Sequence, residues 1–380
     1  MHRDVYAIIM AGGAGRRFWP EGREARPKQF LKIVGNETMI QAALRRLSPI
    51  ATGEQILIVA NECHKHLLVQ QLRGVPLRNL ILEPTGRNTA ACIGLAAIHI
   101  RKRLESGWIE DKPTSASDFR SGNCRDPVMI VTPADHHIED GEAFVKVVQA
   151  AVEAAGETAQ LVTIGIVPSR PETGYGYIRL GEELGRFRGT KMYRVVEFTE
   201  KPGQDRAEEF LRSGSYLWNS GIFIWRLSTI LEMLKTYLPY LYHGLCEIER
   251  AIATEEETTI TRKVYEGLQS ISIDYGVMEK SDRVAVFKGE FGWSDIGSWA
   301  ALEEVLAKDE DGNLVFGRHV GIDTQGCIIR SPKKLVATIG IEGMVIVETD
   351  DVLLVCKKEK SQDVKKITGL LKREGMDQYL

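Results

Sequence analysis

The 380-residue sequence lacks the features that define several common classes of protein. Its six cysteines are scattered, with no Cys-x-x-Cys pair and no histidine at zinc-ligand spacing, which argues against a disulfide scaffold or a structural zinc site. No hydrophobic stretch approaches the length of a membrane span, and the N-terminal segment MHRDVYAIIMAGG has no signal-peptide cleavage site. We therefore expect free thiols, no membrane partner and a location in the cytoplasm.

Neither sign of charge dominates the chain. The 49 basic and 52 acidic residues are interspersed and give a net charge of −3, so no extended basic surface suggests a nucleic-acid partner. Hydrophobic residues make up 43% of the sequence, and its 36 glycines indicate a globular protein with many loops. The length is sufficient for a large core and two domains.

The loop after the first predicted strand lacks the two commonest phosphate-binding fingerprints. The apolar run Val5–Met10 predicts a buried parallel strand, and the glycine-rich segment 11–15 follows it directly. A P-loop would end in Gly-Lys-Ser/Thr, and a dinucleotide-binding loop would need a third glycine where Phe18 stands. The missing glycine, and the lack of an acidic strand-end residue about 20 positions later, argue against a dehydrogenase.

This loop does contain glycines that are followed by cationic side chains. Gly12, Gly13 and Gly15 allow the backbone to approach a ligand closely and to turn its N–H groups toward phosphate oxygens. Arg17 and Lys28 follow, and both can neutralise charge on the same phosphates. Glycines alone would indicate only a solvated turn, but the combination favours a nucleotide-phosphate loop.

Strands and helices alternate over the first half of the chain. This pattern predicts an α/β fold with a doubly wound, mostly parallel, Rossmann-like sheet. The glycine loop, Glu83–Asn88 and Asp135 all follow predicted strands, so we expect them at one edge of the sheet. One predicted helix begins at Asn88 or Thr89 and places Ile93, Ala97, Ile100 and Leu104 on one face. The other predicted helices are 39–47 and 142–155. The predicted strands are 5–10, 56–60, 80–82, 128–132 and 161–166.

The pattern changes after residue 168. Short strands, glycine turns and helices near 205–213 and 228–238 predict an α+β continuation that covers the first sheet. From residue 310, short strands with Gly or Asp turns predict a small β-rich, β-helix-like unit, which ends in a helix with an apolar stripe. We predict a catalytic domain over 1–300 and a small domain over 310–380. The polar segment 109–126 predicts an exposed loop.

These motifs together resemble those of mannose-1-phosphate guanylyltransferases (GDP-mannose pyrophosphorylases), a family of sugar nucleotidyltransferases. The chain departs from the family pattern at two places. The family has Leu where this chain has Phe18, and it has a Leu-Ser-Arg segment where this chain has Glu21-Gly22-Arg23. Both positions lie beside the phosphate-binding residues. The motifs, in family order, are AGGAGRRFWP, RPKQFL, EPTGRNTAA, TPADHHI, PETGYGYI, FTEKP, NSGIF, IDYGVMEK and GWSDIGSW.

The resemblance implies an enzyme that transfers GMP from GTP to mannose 1-phosphate and releases pyrophosphate, with Mg²⁺ as cofactor and a homodimer as the assembly. The sugar phosphate would attack the α-phosphorus of GTP in line. A phosphate monoester is already an anionic nucleophile, so this reaction needs positioning and charge neutralisation and no general base. No Ser-His-Asp set is apparent in the sequence, in agreement with this chemistry.

The resemblance also implies roles for individual residues. Arg17 and Lys28 would bind the triphosphate as catalytic residues, and Asp135 and Asp295 would hold Mg²⁺. Which residue reads the purine is left open among Glu83, Arg87 and Asn88. The implied nucleotide-binding set is Ala11, Gly12, Gly13, Gly15, Glu83, Arg87 and Asn88, and the implied sugar-phosphate-binding set is Gly176, Tyr177, Glu200, Lys201 and Asn219.

Two other functions remain compatible with the sequence. One is the same chemistry on another sugar 1-phosphate, such as a heptose phosphate, or with another nucleotide. The other is a non-catalytic regulatory subunit that binds nucleotide sugars, which the presence of the two cations and two aspartates disfavours. For the enzyme, replacement of Lys28 or Asp295 by alanine should lower turnover and leave the fold nearly intact.

Overall fold

The computed structural model describes residues 5–13, 15–72, 74–106 and 126–380. The predicted loop 109–126 therefore lies outside the described residues, apart from Asp126. Within the described ranges, no helix has both the length and the apolar character to cross a membrane. The strands are β1 (Val5–Met10), β2 (Ile56–Asn61), β3 (Leu80–Glu83), β4 (Val128–Pro133), β5 (His137–Ile138), β6 (Leu161–Ile166), β7 (Gly176–Phe187), β8 (Thr190–Glu200), β9 (Tyr216–Arg226), β10 (Val284–Gly289), β11 (Trp293–Ser294), β12 (Leu314–Gln325), β13 (Ile328–Glu342), β14 (Met344–Glu348) and β15 (Leu353–Lys357). The α-helices are α1 (Met39–Leu47), α2 (Lys65–Gln71), α3 (Asn88–Glu105), α4 (Gly141–Thr158), α5 (Gln204–Ser213), α6 (Leu227–Tyr237), α7 (Pro239–Ala251), α8 (Glu257–Gly267) and α9 (Val364–Arg373).

The described residues form two compact units, each assembled from separate stretches of the chain. The first unit contains the described parts of 1–12, 44–133 and 140–291, and the second contains those of 13–43, 134–139 and 292–380. The second unit includes early residues because Phe18 and Leu31 share one hydrophobic core with Leu314 and Val345.

A nine-stranded sheet organises the first unit, in the order β3-β2-β1-β4-β9-β6-β10-β8-β7. Strands β3, β2, β1 and β4 are parallel, with Asn61 beside Glu83 and Met10 beside Pro133. Parallel strands end at the same edge of a sheet, so Gly12 and Glu83 emerge there together, as the alternating pattern predicts.

The strands after residue 168 extend this sheet, whereas helices α6 and α7 of the same segment pack on α3, so the prediction that the segment covers the first sheet is confirmed for these helices and wrong for its strands. Strand β9 pairs antiparallel with β4 and β6, and β8 pairs antiparallel with β7 and β10. Apolar periodicity reports the burial of a strand and not its partner, which explains the difference. The predicted α/β fold is confirmed, with a parallel half next to the glycine loop and a mixed half beyond it.

Helix α3 forms the centre of the core of the first unit. Its predicted apolar face is buried, with Ile93, Ala97 and Ile100 fully inaccessible, and it packs with sheet residues such as Ile8 and with helices α6 and α7. The helix begins at Asn88, which adopts a positive φ of 68°. The Asn88 side chain accepts a hydrogen bond from the adjacent N–H group of residue 89 at 2.8 Å.

The second unit contains the predicted β-rich end of the chain. Strands β12, β13 and β14 stack in parallel, with Leu314 beside Ile328 and Ile328 beside Val345. Strand β15 then pairs antiparallel with β14. Parallel pairing of consecutive strands across such short connections is the stacking of β-helix coils, as predicted. Of the predicted helical stripe, Val364 is buried in this core, whereas Leu370 is 41% exposed.

Candidate active site

In the second unit, two short strands bring Asp135 and Asp295 together around the ammonium group of Lys28. β5 and β11 pair antiparallel, and the two aspartates lie just outside them. Lys28 is only 4% exposed. Its Nζ donates hydrogen bonds to the carbonyl oxygen of Asp135 at 2.7 Å, to Oδ2 of Asp135 at 3.2 Å and to the carbonyl oxygen of Asp295 at 2.5 Å.

These three acceptors use the full donor capacity of the Lys28 ammonium group. Although the surrounding protein disfavours the charged form, the positive charge of Lys28, with His136, holds the pKa of Asp135 below its ordinary value. Lys28 therefore presents a fixed positive charge, and it reaches a phosphate oxygen directly only by exchanging one of these bonds. Because Lys28→Ala would leave buried acceptors without their donor, we now expect it to reduce stability as well as turnover.

Arg17 contacts the C-terminal part of the same unit. Its Nη1 donates to Oε1 of Gln362 at 3.1 Å. A Cβ atom on Gly297 would lie 3.1 Å from Nη1 of Arg17 and 3.1 Å from each carboxylate oxygen of Asp295. A side chain at Gly297 would thus crowd both groups. Sequence reasoning missed Gln362, because no motif marks it.

The glycine loop depends on Gly15. This residue has a φ of +59°, and a Cβ atom there would approach the backbone nitrogen of Lys28 to 2.4 Å. Only glycine satisfies both conditions without displacement of the chain. Gln29 fixes the other side of the loop by donating from Nε2 to the carbonyl oxygen of Gly13 at 3.0 Å. The loop therefore supports the position of Lys28.

The donor set of the second unit fits a magnesium ion. Among the described residues there is no group of three or more His, Cys, Asp or Glu side chains that could hold a metal. Mg²⁺, however, usually binds through one or two carboxylates and completes its shell with water and substrate phosphates. Asp135 and Asp295 supply such a pair next to Lys28.

In the first unit, Glu83 lies beside the backbone of Gly12. Glu83 is 3% exposed, and its Oε2 would be 3.5 Å from a Cβ atom on Gly12. The hydroxyl group of Tyr265 donates to Oε1 of Glu83 at 3.2 Å. Burial raises the pKa of Glu83 to about 7, although the hydrogen bond from Tyr265 acts in the opposite direction. Sequence reasoning did not single out Tyr265.

The other predicted nucleotide-binding residues of this unit make mainly backbone contacts. Arg87 donates from Nε to the carbonyl oxygen of Tyr265 at 2.7 Å and from Nη2 to that of Glu266 at 2.9 Å. It therefore joins the start of α3 to the end of α8. The N–H group of Ala11 donates to the carbonyl oxygen of Val59 at 2.8 Å, which continues the strand pairing into the loop.

A second cluster in the first unit contains Gly176, Glu200, Lys201 and Asn219. Lys201 Nζ donates to Oε2 of Glu200 at 3.1 Å. A Cβ atom on Gly176 would lie 2.1 Å from Oε1 of Glu200, so glycine is needed for that carboxylate to lie over β7. Asn219 Nδ2 donates to Oδ1 of Asp274 at 2.8 Å. The structure thus brings four of the five predicted sugar-site residues together.

Tyr177 and Asp274 differ from the predicted arrangement of this cluster. The side chain of Tyr177 is fully buried against Phe210, and its hydroxyl group accepts from the N–H group of Glu172 at 3.0 Å. Asp274, from the IDYGVMEK motif, was not predicted as a site residue. Burial and the charge of Glu200 raise the pKa of Asp274 to about 7.

The chain matches known proteins along most of its length. It fits the family model described as Nucleotidyl transferase over residues 6–312 and the model described as MannoseP isomerase/GMP-like beta-helix domain over residues 317–371. A protein of Klebsiella pneumoniae named mannose-1-phosphate guanylyltransferase is 40% identical over 376 residues, which cover 98% of this chain and 75% of that protein. A protein of Escherichia coli (strain K12) with the same name is 37% identical over 380 residues, covering 99% and 75%. A crystal structure from Thermus thermophilus, described as mannose-1-phosphate geranyltransferase, is 36% identical with a TM-score of 0.82 and covers 97% of this chain and 99% of that one.

Proposed function

The chain belongs to the mannose-1-phosphate guanylyltransferases, a family of nucleotidyl transferases, and from this premise we propose that it transfers GMP from GTP to mannose 1-phosphate. The phosphate oxygen of the sugar attacks the α-phosphorus, and the bond to the leaving pyrophosphate breaks. The observation that carries this proposal is the convergence of Lys28, Asp135 and Asp295 beside the glycine loop. That cluster supplies charge and position, which are what phosphoryl-type transfer requires.

In this proposal the second unit binds the phosphates. The backbone N–H groups of the glycine loop and the guanidinium of Arg17 bind the triphosphate, and the fixed charge of Lys28 stabilises the negative charge that develops on the transferring group. Mg²⁺, held by Asp135 and Asp295, would neutralise phosphate charge when bound. No residue needs to remove a proton, because the attacking phosphate is already anionic.

In the first unit, Glu83 is our candidate for reading guanine. A carboxylate can accept hydrogen bonds from both N1–H and the N2 amino group of guanine, and the Tyr265 contact fixes its orientation. Asn88 and Arg87, at the start of α3, are the further candidates. Glu200, Lys201 and Asn219 are proposed to bind the sugar phosphate, whereas Tyr177 would contribute through its backbone.

We further propose a homodimer located in the cytoplasm. The described cysteines 63, 92, 246, 327 and 356 are all free thiols, which supports a reducing compartment. An exposed apolar stripe on the β-rich end, which includes Leu335 and Ile339, supports the dimer.

A substrate panel tests the reaction. Purified protein is given Mg²⁺, GTP and a series of sugar 1-phosphates, with ATP, UTP and dTTP as controls, and pyrophosphate release is measured. We expect release with GTP and mannose 1-phosphate only. Release with another sugar, such as a heptose phosphate, or another nucleotide would keep the chemistry and change the substrate. Binding of a nucleotide sugar without any turnover would instead indicate a regulatory subunit.

Asp295→Asn tests the metal-binding role with little change in side-chain size. We expect turnover to fall by about 10²-fold or more, because one of the two carboxylates that would hold the phosphate-neutralising Mg²⁺ is lost. The Mg²⁺ concentration for half-maximal rate should rise at the same time. Asp311→Asn, at an exposed aspartate of the same unit, is the control and should leave both values unchanged. A folded Asp295→Asn protein with the rate of the original would exclude Asp295 from the metal site.

A further inference from the structure

The first unit contains a cavity of ≈ 390 Å³ that the proposed reaction does not use. Its walls are β3, the C-terminal half of α3, and the start of α8 together with the segment that precedes it. Small-molecule sites have volumes of about 300–1,000 Å³, so the cavity is large enough for a metabolite. None of the residues proposed above to bind substrate lines it.

The walls of the cavity combine apolar and hydroxyl-bearing side chains. Leu80, Leu95 and Ile252 form an apolar surface, and Thr258 and Thr261 of α8 supply hydroxyl groups. Such walls suit a ligand with a carbon framework that also carries hydroxyl groups.

The charges around the cavity favour an anion. Two of the lining cations have no carboxylate partner in an ion pair among the described residues: Lys102 and Arg103. Within the part of the chain that the structure describes, Arg103 donates only to neutral acceptors, the side-chain oxygen of Asn79 at 2.8 Å and the carbonyl oxygen of Arg78. Burial lowers the pKa of Arg103, as expected for a desolvated cation without a carboxylate in contact.

The lining carboxylates do not cancel these two charges. Glu62 is paired with Arg262 at 2.9 Å. Glu257 accepts from the N–H group of Ala253 at 2.7 Å and lies 4.0 Å from Nε2 of His99. Burial, with a contribution from Arg103, lowers the pKa of His99 to about 3, so His99 is neutral near pH 7. One carboxylate without a charged partner therefore faces two such cations.

We propose that this cavity is a second ligand site, which binds a phosphate monoester of a hydroxyl-bearing small molecule. Lys102 and the guanidinium of Arg103 bind the phosphate, Leu80, Leu95 and Ile252 contact the carbon framework, and the hydroxyl groups of α8 contact those of the ligand. A sugar phosphate and a mononucleotide share this chemistry, and the test below separates them.

The same three elements also position the proposed base-reading residues. Strand β3 ends at Glu83, α3 begins at Asn88, and the end of α8 holds Glu83 and Arg87 through Tyr265 and Glu266. A ligand that shifts these elements therefore changes the affinity for nucleotide, and nucleotide must change the affinity for the ligand by the same factor. This second step, unlike the first, rests on the proposed function.

Direct binding tests the site without reference to activity. Fructose 6-phosphate, AMP and inorganic phosphate are titrated into the protein by calorimetry, and hydrogen exchange of residues 95–106 and 252–261 is followed. We expect at least one of the two esters to bind and to protect both segments. Lys102→Glu should weaken this binding at least tenfold, whereas Lys146→Glu, at an exposed lysine of α4, should leave it unchanged. Thr258→Trp, which adds a large side chain at an exposed position of the cavity wall, serves as the second variant if Lys102→Glu does not fold.

Several results would overturn the site. The site is excluded if neither ester binds, or if both Lys102→Glu and Thr258→Trp bind the ester as tightly as the original protein does. It is also excluded if the ester protects only other segments from exchange, or if inorganic phosphate binds as tightly as the esters. The coupling is tested by the KM for GTP with and without a saturating ester. An unchanged KM with the ester bound would overturn the coupling and leave the site, while an inactive protein that still binds the ester would count against the proposed function alone.

Discussion

Glu83 illustrates how burial gives an ordinary carboxyl group unusual properties. It is 3% exposed, and its pKa rises from 4.5 to about 7. Near neutral pH the group is therefore only partly ionised, although the proposed acceptance of two hydrogen bonds from guanine requires the carboxylate. Its single described hydrogen-bond donor is Tyr265, which stabilises the charged form only in part.

Glu83→Gln should change the pH dependence of stability. Between pH 4.5 and 7 the folded protein holds a proton on Glu83 that the unfolded chain has released, so this group lowers the free energy of unfolding as pH rises. Asp274 acts in the same direction and remains in the variant. The free energy of unfolding of Glu83→Gln, minus that of the original protein, should therefore increase with pH, by up to about 3 kcal/mol between about pH 4.5 and 8.

Chemical denaturation of both proteins at several pH values measures this difference. Glu157→Gln, at an exposed glutamate of α4, is the control and should show no such trend. A difference between Glu83→Gln and the original that stays constant across this pH range would contradict the raised pKa.

Which individual contacts could be predicted depends on whether they are local. The glycines that precede Arg17 and Lys28 are close to them in sequence, so their chemistry is visible there. Three other contacts could not be predicted, because each joins residues that are far apart in the chain. They are Tyr265 with Glu83, Asp274 with Asn219, and Gln362 with Arg17. Their roles depend on tertiary placement, and nothing in their local sequence distinguishes them from ordinary polar residues.

At the scale of elements, buried strands and amphipathic helices could be predicted closely. Predicted helix 39–47 and strand 161–166 coincide with α1 and β6, because each shows its burial in its own apolar pattern. The pairing of β7, β8 and β9 could not be predicted, since many neighbours can satisfy one buried strand. For the same reason the second unit, which collects three separate stretches of chain, could not be inferred.

The 3-10 turn Lys358–Asp363 in the C-terminal part contacts Arg17, which follows the glycine loop. Gln362 in this turn accepts the hydrogen bond from Arg17 described above. If this contact positions the guanidinium for the triphosphate, Gln362→Ala should raise the KM for GTP about 3- to 10-fold, which corresponds to about 1 kcal/mol, the usual net contribution of one hydrogen bond. The turnover number should change less.

A double-mutant cycle distinguishes this positioning role from a general effect on the fold. In an Arg17→Ala background, Gln362→Ala should have little further effect on the KM. Gln378→Ala, at an exposed glutamine of the same unit, is the single-variant control. Equal effects of Gln362→Ala with and without Arg17 would show that the turn does not act through Arg17.

At the scale of the whole molecule, the β-rich end exposes an apolar stripe. Val320 is 54% exposed, Ile322 60%, Leu335 62% and Ile339 73%. The register of β12 and β13 pairs Ile322 with Ile339 and Leu335 with Arg318, two residues before Val320, so the alternation of strands puts all four apolar residues on one face. A contiguous apolar face on a folded protein usually indicates an interaction surface.

We predict that this stripe mediates the proposed homodimer, because a face shared by two identical chains is self-complementary about a two-fold axis. Leu335→Glu introduces like charges into both halves of that interface and should convert the protein from two chains to one in light scattering coupled to size-exclusion chromatography. Leu77→Glu, at a leucine that is 65% exposed in the first unit, makes the same change elsewhere and should leave the dimer intact. A dimer that persists in Leu335→Glu, or that Leu77→Glu dissociates instead, would place the interface on a different surface. A single-chain mass for the unchanged protein at micromolar concentration would exclude the homodimer itself.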